Sequence, residues 1–164
     1  MSAWTTRRAT PADAAAIRRL AEDGLATYSE FTPGWTRPKA FDEANARRGA
    51  ELLGDPGFFC LLAEANGKPI AHVGFVAAPV AGVAHLWQLF VEREWWGSGL
   101  AADLLGAAVA EGRERGFERM RLFTPRDHAR ARRFYEREGW RPTGIEPEGG
   151  TLLGLPIIEY AIAL

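Results

Sequence analysis

Leu89-Phe90-Val91-Glu92-Arg93-Glu94-Trp95-Trp96-Gly97-Ser98-Gly99-Leu100-Ala101 is the stretch on which the reading of this chain turns. An apolar run gives way to a short polar step, and two glycines then open a segment whose apolar positions Leu100, Leu104, Ala107 and Ala108 recur at helical spacing, with Gly116 just past its end. A strand that turns through glycines into a helix presents bare backbone N–H groups at the positive end of that helix. Such an end attracts phosphate without a lysine. The stretch therefore reads as the phosphate cradle of a nucleotide-containing cofactor. It is not a Rossmann fingerprint, since the third glycine and the acidic residue beyond it are missing, and it is not a P-loop, since no Gly-Lys-Ser/Thr follows.

Before this stretch, residues 4–8 alternate weakly, as an edge strand does. Thr10-Pro11-Ala12-Asp13 signals a helix start, and Ile17, Leu20, Ala21 and Leu25 extend the pattern into an amphipathic helix over residues 11–23. Pro33-Gly34 marks a loop, and a second helix is expected over residues 38–53, ended by Gly54-Asp55-Pro56-Gly57. Residues 58–64 and 69–77 read as strands joined by the hairpin pair Asn66-Gly67. Residues 84–91 form a third strand free of charge, expected to be buried on both faces. Beyond the opening stretch come a strand at 119–124, a helix at 127–138 stopped by Gly139, and strand-like segments at 140–146 and 157–164. The order β-α-α-β-β-β-α-β-α-β-β points to one domain over residues 1–164, of α+β class, with helices packed on a mixed sheet.

Composition narrows the function classes. Apolar residues make up 47% and charged residues 25%, the balance of a soluble globular chain. Twenty basic residues against twenty-one acidic ones leave a net charge of −1, so no overall field drives the protein onto nucleic acid or a membrane surface. The first residues lack a signal-peptide core, no apolar run reaches membrane-spanning length, and a cytoplasmic location is the expectation. Cys60 stands alone, which excludes an internal disulfide and argues against a cysteine-based metal site; no metal is expected.

A second segment, His128-Ala129-Arg130-Ala131-Arg132-Arg133-Phe134-Tyr135-Glu136-Arg137-Glu138-Gly139-Trp140, raises the value of the first. Ala131, Phe134, Tyr135 and Glu138 share one helix face, so Tyr135 points inward or toward a cleft. A phenol there either packs in the core with its hydroxyl satisfied, or serves as a proton donor that stays protonated at neutral pH.

Together the two segments resemble the GNAT superfamily of acyl-CoA-dependent N-acyltransferases. Residues 91–101 are similar to that family's Gln/Arg-x-x-Gly-x-Gly/Ala cofactor motif, and His128 to Trp140 to its Asn-x-x-Ala-x-x-x-Tyr-Glu-x-x-Gly-Phe motif. The resemblance implies a mostly antiparallel central sheet with helices on both faces. It also implies transfer of the acetyl group of acetyl-CoA to a primary amine of a small molecule or peptide, directly within a ternary complex. Leu89, Phe90 and Val91 would then pair with the pantetheine arm, and residues 94–101 would hold the pyrophosphate: Glu94, Trp96, Gly97, Ser98, Gly99, Leu100 and Ala101. Tyr135 would act near the thioester sulfur, and Arg130 and Arg133 near the adenosine 3′-phosphate. A non-catalytic acyl-CoA-sensing module of the same fold is the alternative, and a homodimer is a common arrangement in the family.

The chain departs from the family pattern at three points. Glu94 stands where Gln or Arg is usual, with Arg93 or Arg126 available to offset its charge. His128 stands where Asn is usual. The strand 84–91 has no acid to serve as a general base; Trp87 and Gln88 occupy that region. His85, His72 and Glu30 are the candidate bases, and an already deprotonated amine would need none of them. The remaining arginines of 126–137 read as a solvated face balanced by Glu136 and Glu138. Trp35, Trp87, Trp95 and Trp96 read as packing residues, with Trp35 and the 147–150 loop, which includes Glu148, in position to wall an acceptor pocket.

Overall fold

The computed structural model of the protein describes residues 3–147 and 149–164, the side chains of residues 39–42 and 152 excepted; Glu148 lies outside the described residues. The elements are β1 (Thr5–Arg8), α1 (Ala14–Ala26), α2 (Lys39–Leu53), β2 (Phe59–Ala65), β3 (Lys68–Ala77), β4 (Val83–Val91), α3 (Leu100–Glu114), β5 (Arg119–Pro125), α4 (Ala129–Arg137), β6 (Arg141–Pro142), β7 (Thr151–Leu152) and β8 (Leu155–Ala163). The strands lie in the order β1-β2-β3-β4-β5-β8-β6, with β7 paired to β8 off this path. Every pairing is antiparallel except β4 with β5.

Alternation along the strands builds a core on each side of the sheet. On β2, Phe59 and Ala63 join the cluster that holds Leu100, Leu104, Leu105 and Ala108 of α3, while Phe58, Cys60 and Leu62 pack with Ile17 and Leu20 of α1 and Leu52 of α2. Phe134 and Tyr135 of α4 pack against the α3 side. Two helices thus cover each face, as the resemblance implied. The hairpin turn has φ 51° at Asn66 and 74° at Gly67, the pair of left-handed residues that a tight two-residue hairpin requires.

The decisive irregularity lies in β4. Gly74 pairs with Gln88 but Phe75 with Leu86, so Trp87 is the extra residue of a β-bulge. The parallel ladder between β4 and β5 covers only Val83–His85 against Arg119–Arg121, whereas β5 stays paired with β8 along Arg119–Pro125. Past His85 the two strands part into a fork. The expectation that 84–91 is buried on both faces therefore holds at Ala84 and Leu86 and fails beyond, where residues 87–91 are half-buried because no strand pairs with them on the β5 side.

Other boundaries also differ from those expected. Pro11–Asp13 is a 3-10 turn in which the Asp13 carboxylate accepts the Thr10 N–H at 2.8 Å, and the helix proper runs on to Ala26. The helix expected from Gly97 starts at Leu100, because Gly97 and Gly99 have φ of 77° and 92°. The strand expected at 140–146 shrinks to Arg141–Pro142, interrupted by Gly144 at φ 82°, although Thr143 and Ile145 still exchange backbone bonds with Glu159. The two-residue β7 had no alternating pattern to announce it. It forms because Leu153 and Gly154, both at positive φ, turn the chain back onto β8.

Candidate active site

The fork opens into a cavity of about 1140 Å³. Its walls include Leu86 to Val91 of β4 and Leu122, Phe123 and Thr124 of β5, with Gly24, Leu25, Tyr28, Asn45 and Arg48 on one side of the sheet and Gly97, Gly99, Ala101, Ala102, Ala131 and Tyr135 on the other. The cavity therefore passes through the sheet. A ligand threaded between β4 and β5 would meet α1 and α2 at one end and the α3 and α4 N-terminal turns at the other.

At the α3 end, the backbone N–H groups of Gly97, Gly99, Ala101 and Ala102 find no acceptor among the described residues, while Trp96, Ser98 and Asp103 spend theirs on Arg93, Trp95 and Gly99 carbonyls. The four unspent donors belong to residues that line the cavity. A Cβ built at Gly97 or Gly99 would meet nothing within 4 Å, so it would project into open space; what demands glycine is the positive φ. Four converging donors at a helix N-terminus form an anion site. Trp96 reinforces it: the indole N–H donates to the Val91 carbonyl at 2.9 Å, and the guanidinium carbons of Arg130 and Arg93 lie 3.4 and 4.4 Å from its ring centroid. Burial, then repulsion from Arg93, lowers the Arg130 pKa, a sign that positive charge is concentrated here. Arg133 and Arg137 also line the cavity.

Glu94, Ser98 and Leu100 do not line it. Glu94 is exposed, Ser98 turns its hydroxyl back to the Trp95 carbonyl at 2.6 Å, and Leu100 is fully buried in the core beneath. The arginines named as offsets to Glu94 are engaged elsewhere, Arg93 with Glu30 and Arg126 with Glu146. His128 lines the cavity but its side chain does not cap α4. It stacks on Phe31 at 4.3 Å between ring centroids, and burial, with Arg130 beside it, depresses its pKa to about 4.

Tyr135 sits on the face of α4 that Ala131, Phe134 and Glu138 share, and all four line the cavity. Its ring packs 5.3 Å from Phe134, 6.1 Å from Trp140 and 6.0 Å from Tyr160. Tyr160 anchors the helix by donating to Glu136 Oε1 at 2.6 Å and accepting from Arg132 Nε at 3.0 Å. The Tyr135 hydroxyl has no hydrogen-bond partner among the described residues, and burial raises its pKa above the ordinary phenol value, so it remains a donor throughout the neutral range. Tyr28, which the sequence reading did not single out, faces the same cavity with its own pKa pushed up by burial to about 12.

The three candidate bases separate clearly. Glu30 is ion-paired with Arg93 and His72 is fully buried; neither lines the cavity. His85 does, at the point where β4 leaves β5; burial and then Arg121 hold its pKa near 4, and its Nδ1 is enclosed without a partner. Of the tryptophans, Trp87, Trp95 and Trp96 line the cavity and Trp35 does not: its indole N–H holds the Leu153 carbonyl at 2.9 Å, tying the 31–35 loop to the β7–β8 turn.

The profile of the Acetyltransferase (GNAT) family matches residues 23–140. Over 103 residues the chain is 27% identical to mycothiol acetyltransferase of Beutenbergia cavernae, a match that covers 63% of this chain and 35% of that protein; the chain thus spans about a third of the length of this curated relative. Among solved structures, PaiA N-acetyltransferase of Thermoplasma acidophilum in complex with coenzyme A superposes with a TM-score of 0.78 at 16% identity, covering 100% of both chains. The ribosomal-protein-S18-alanine N-acetyltransferase of Escherichia coli superposes at 0.72 and 17% identity, covering 98% of this chain and 93% of that one. At such identities the two structures speak for the fold.

Proposed function

The chain belongs to the GNAT acetyltransferase family, and on that premise we propose that it transfers the acetyl group of acetyl-CoA to a primary amine within a ternary complex. The observation that carries this reading is the cavity through the β4–β5 fork, with unspent N–H donors at one end and the Tyr135 phenol along its wall. The Gly97, Gly99, Ala101 and Ala102 amides, with Arg130, would hold the pyrophosphate. The free edge of β4 from Leu89 to Val91 would pair with the pantetheine arm as an added strand does. Arg133 would meet the 3′-phosphate and His128 would wall the channel by contact, while Ser98 and Leu100, whose N–H groups are spent on the Trp95 carbonyl and Ser98 Oγ, and the exposed Glu94 would shape the turn without touching the ligand.

In the transfer itself, the amine nitrogen forms a bond to the thioester carbonyl carbon and the carbon–sulfur bond breaks. One proton of the entering ammonium leaves before attack, to solvent, so that the amine reacts in its neutral form; His85 lines the cavity but its pKa near 4 makes it a weak base for that step. The second leaves the nitrogen as the tetrahedral adduct collapses and ends on sulfur. Tyr135, with its raised pKa, is suited to hold the developing thiolate by hydrogen bond and to relay that proton. Calorimetric titration with acetyl-CoA, followed by thiol-release assays over an amine panel, tests this. Binding with amine-dependent release is the expected result. Binding without release on any acceptor would favour the sensing module, and no binding would remove both.

A further inference from the structure

The α2 end of the cavity has a polarity of its own. His72, fully buried, contacts Gln88 Oε1 through Nε2 at 2.9 Å, and Gln88 Nε2 donates to Asn45 Oδ1 at 2.8 Å. An acceptor at Gln88 Oε1 requires the His72 tautomer with its proton on Nε2, and burial, which depresses the His72 pKa to about 4, keeps the ring neutral. Donation runs one way along the chain, from β3 through β4 to α2, and turns the Asn45 Oδ1 toward Gln88. The Asn45 amide N–H₂ has no partner among the described residues and lies on a residue that lines the cavity. Arg48, one helical turn on and on the same wall, is 57% exposed, with Glu51 at 3.8 Å its one ion-pair partner among the described residues. Gly49 lets α2 press onto β4: a Cβ there would already touch the Trp87 ring at 3.5 Å.

Beside Trp87 this wall therefore presents the Asn45 amide N–H₂ and the Arg48 guanidinium, and no carboxylate among its described lining residues. Among the described lining residues the one carboxylate is Glu138, on α4 at the far end, against Arg48, Arg130, Arg133 and Arg137. A polycationic acceptor would find no carboxylate among the described lining residues of this wall, since Glu51, beside Arg48, does not line the cavity. We infer that the acceptor amine carries a carboxylate, held by Arg48 and the Asn45 amide, and that it is of amino-acid type with an apolar or aromatic side chain against Trp87, Phe90 and Phe123. The inference rests on the acetyltransferase reading, because it names that reaction's acceptor.

The test uses the whole protein saturated with coenzyme A. Calorimetry compares N-acetyl-L-phenylalanine and N-acetyl-L-leucine with their decarboxylated counterparts, N-acetylphenethylamine and N-acetylisopentylamine, in the native chain and in Arg48→Gln. The expected result is carboxylate selectivity of at least about ten-fold, mostly lost in Arg48→Gln while its coenzyme A affinity stays native. Equal affinity within each pair, tighter binding of the decarboxylated compounds, no binding of either N-acetyl amino acid, or selectivity unchanged in Arg48→Gln would overturn it. Thiol release from acetyl-CoA with the parent amino acids is read separately. Carboxylate-selective binding without release supports the subsite and counts against catalysis, so the two failures are distinguishable.

Discussion

Tyr135 and the amides facing it carry opposite tasks within one cavity: the amides must meet charge already present, the phenol charge that appears only as sulfur departs. A donor that acts on developing charge affects turnover more than binding. Tyr135→Phe keeps the ring contacts to Phe134, Trp140 and Tyr160 and removes only the hydroxyl. Its kcat should fall by about 100-fold or more, with the acetyl-CoA dissociation constant, measured by calorimetry, within about two-fold of the native value. The face that Tyr135 occupies was legible in local spacing, and its role only through the family resemblance. The His72–Gln88–Asn45 chain was not, since its members come from β3, β4 and α2 and only the bulge at Trp87 brings Gln88 opposite Gly74. Nor could spacing tell that Trp35 serves the β7–β8 turn and not the cavity wall.

Among the elements, α1 and α3 are placed by glycines for different reasons. A Cβ on Gly24 of α1 would come within 2.2 Å of the Phe90 ring, so glycine is what lets α1 lie against β4 beside the fork. Gly24→Ala should cost about 1–3 kcal/mol in urea melts and, by displacing Phe90, weaken acetyl-CoA binding as well. Gly99 has open space but a φ of 92°. Gly99→Ala should cost about 1–2 kcal/mol and place a methyl where the unspent amides face, so the coenzyme affinity should fall in titrations without any core contact being lost. The second glycine was readable in the sequence as part of the phosphate cradle, whereas the first fell just past the expected helix end at residue 23 and carried no signal. Close packing of Gly24 on Phe90 is a tertiary fact, invisible to helical periodicity.

At the scale of the whole molecule, a mixed sheet with packed helices followed from alternation and helical spacing, the helices on both faces from the family resemblance, and the strand order and the fork from neither. A parallel pairing that stops after three residues leaves no mark on β4, whose apolar run reads as continuous burial. The histidines embedded around this fork link folding to pH. His72, His85 and His128 ordinarily titrate near 6.5 and are held near 4 in the fold, each chiefly by burial. Between those values the unfolded chain binds more protons than the folded one, so this contribution to stability is full above pH 6.5 and is lost as pH falls toward 4. Urea midpoints at pH 7.5 and 5 should show the decline, and His72→Gln should flatten it. No helix among the described residues is long and apolar enough to cross a membrane. The fork gives the account its central claim, that acetyl-CoA and an amine occupy one through-sheet cavity together and react there. Initial rates of thiol release, with acetyl-CoA and acceptor both varied, test it most directly. Intersecting reciprocal plots with release dependent on the amine are the predicted result; parallel lines, or release indifferent to the amine, would contradict it.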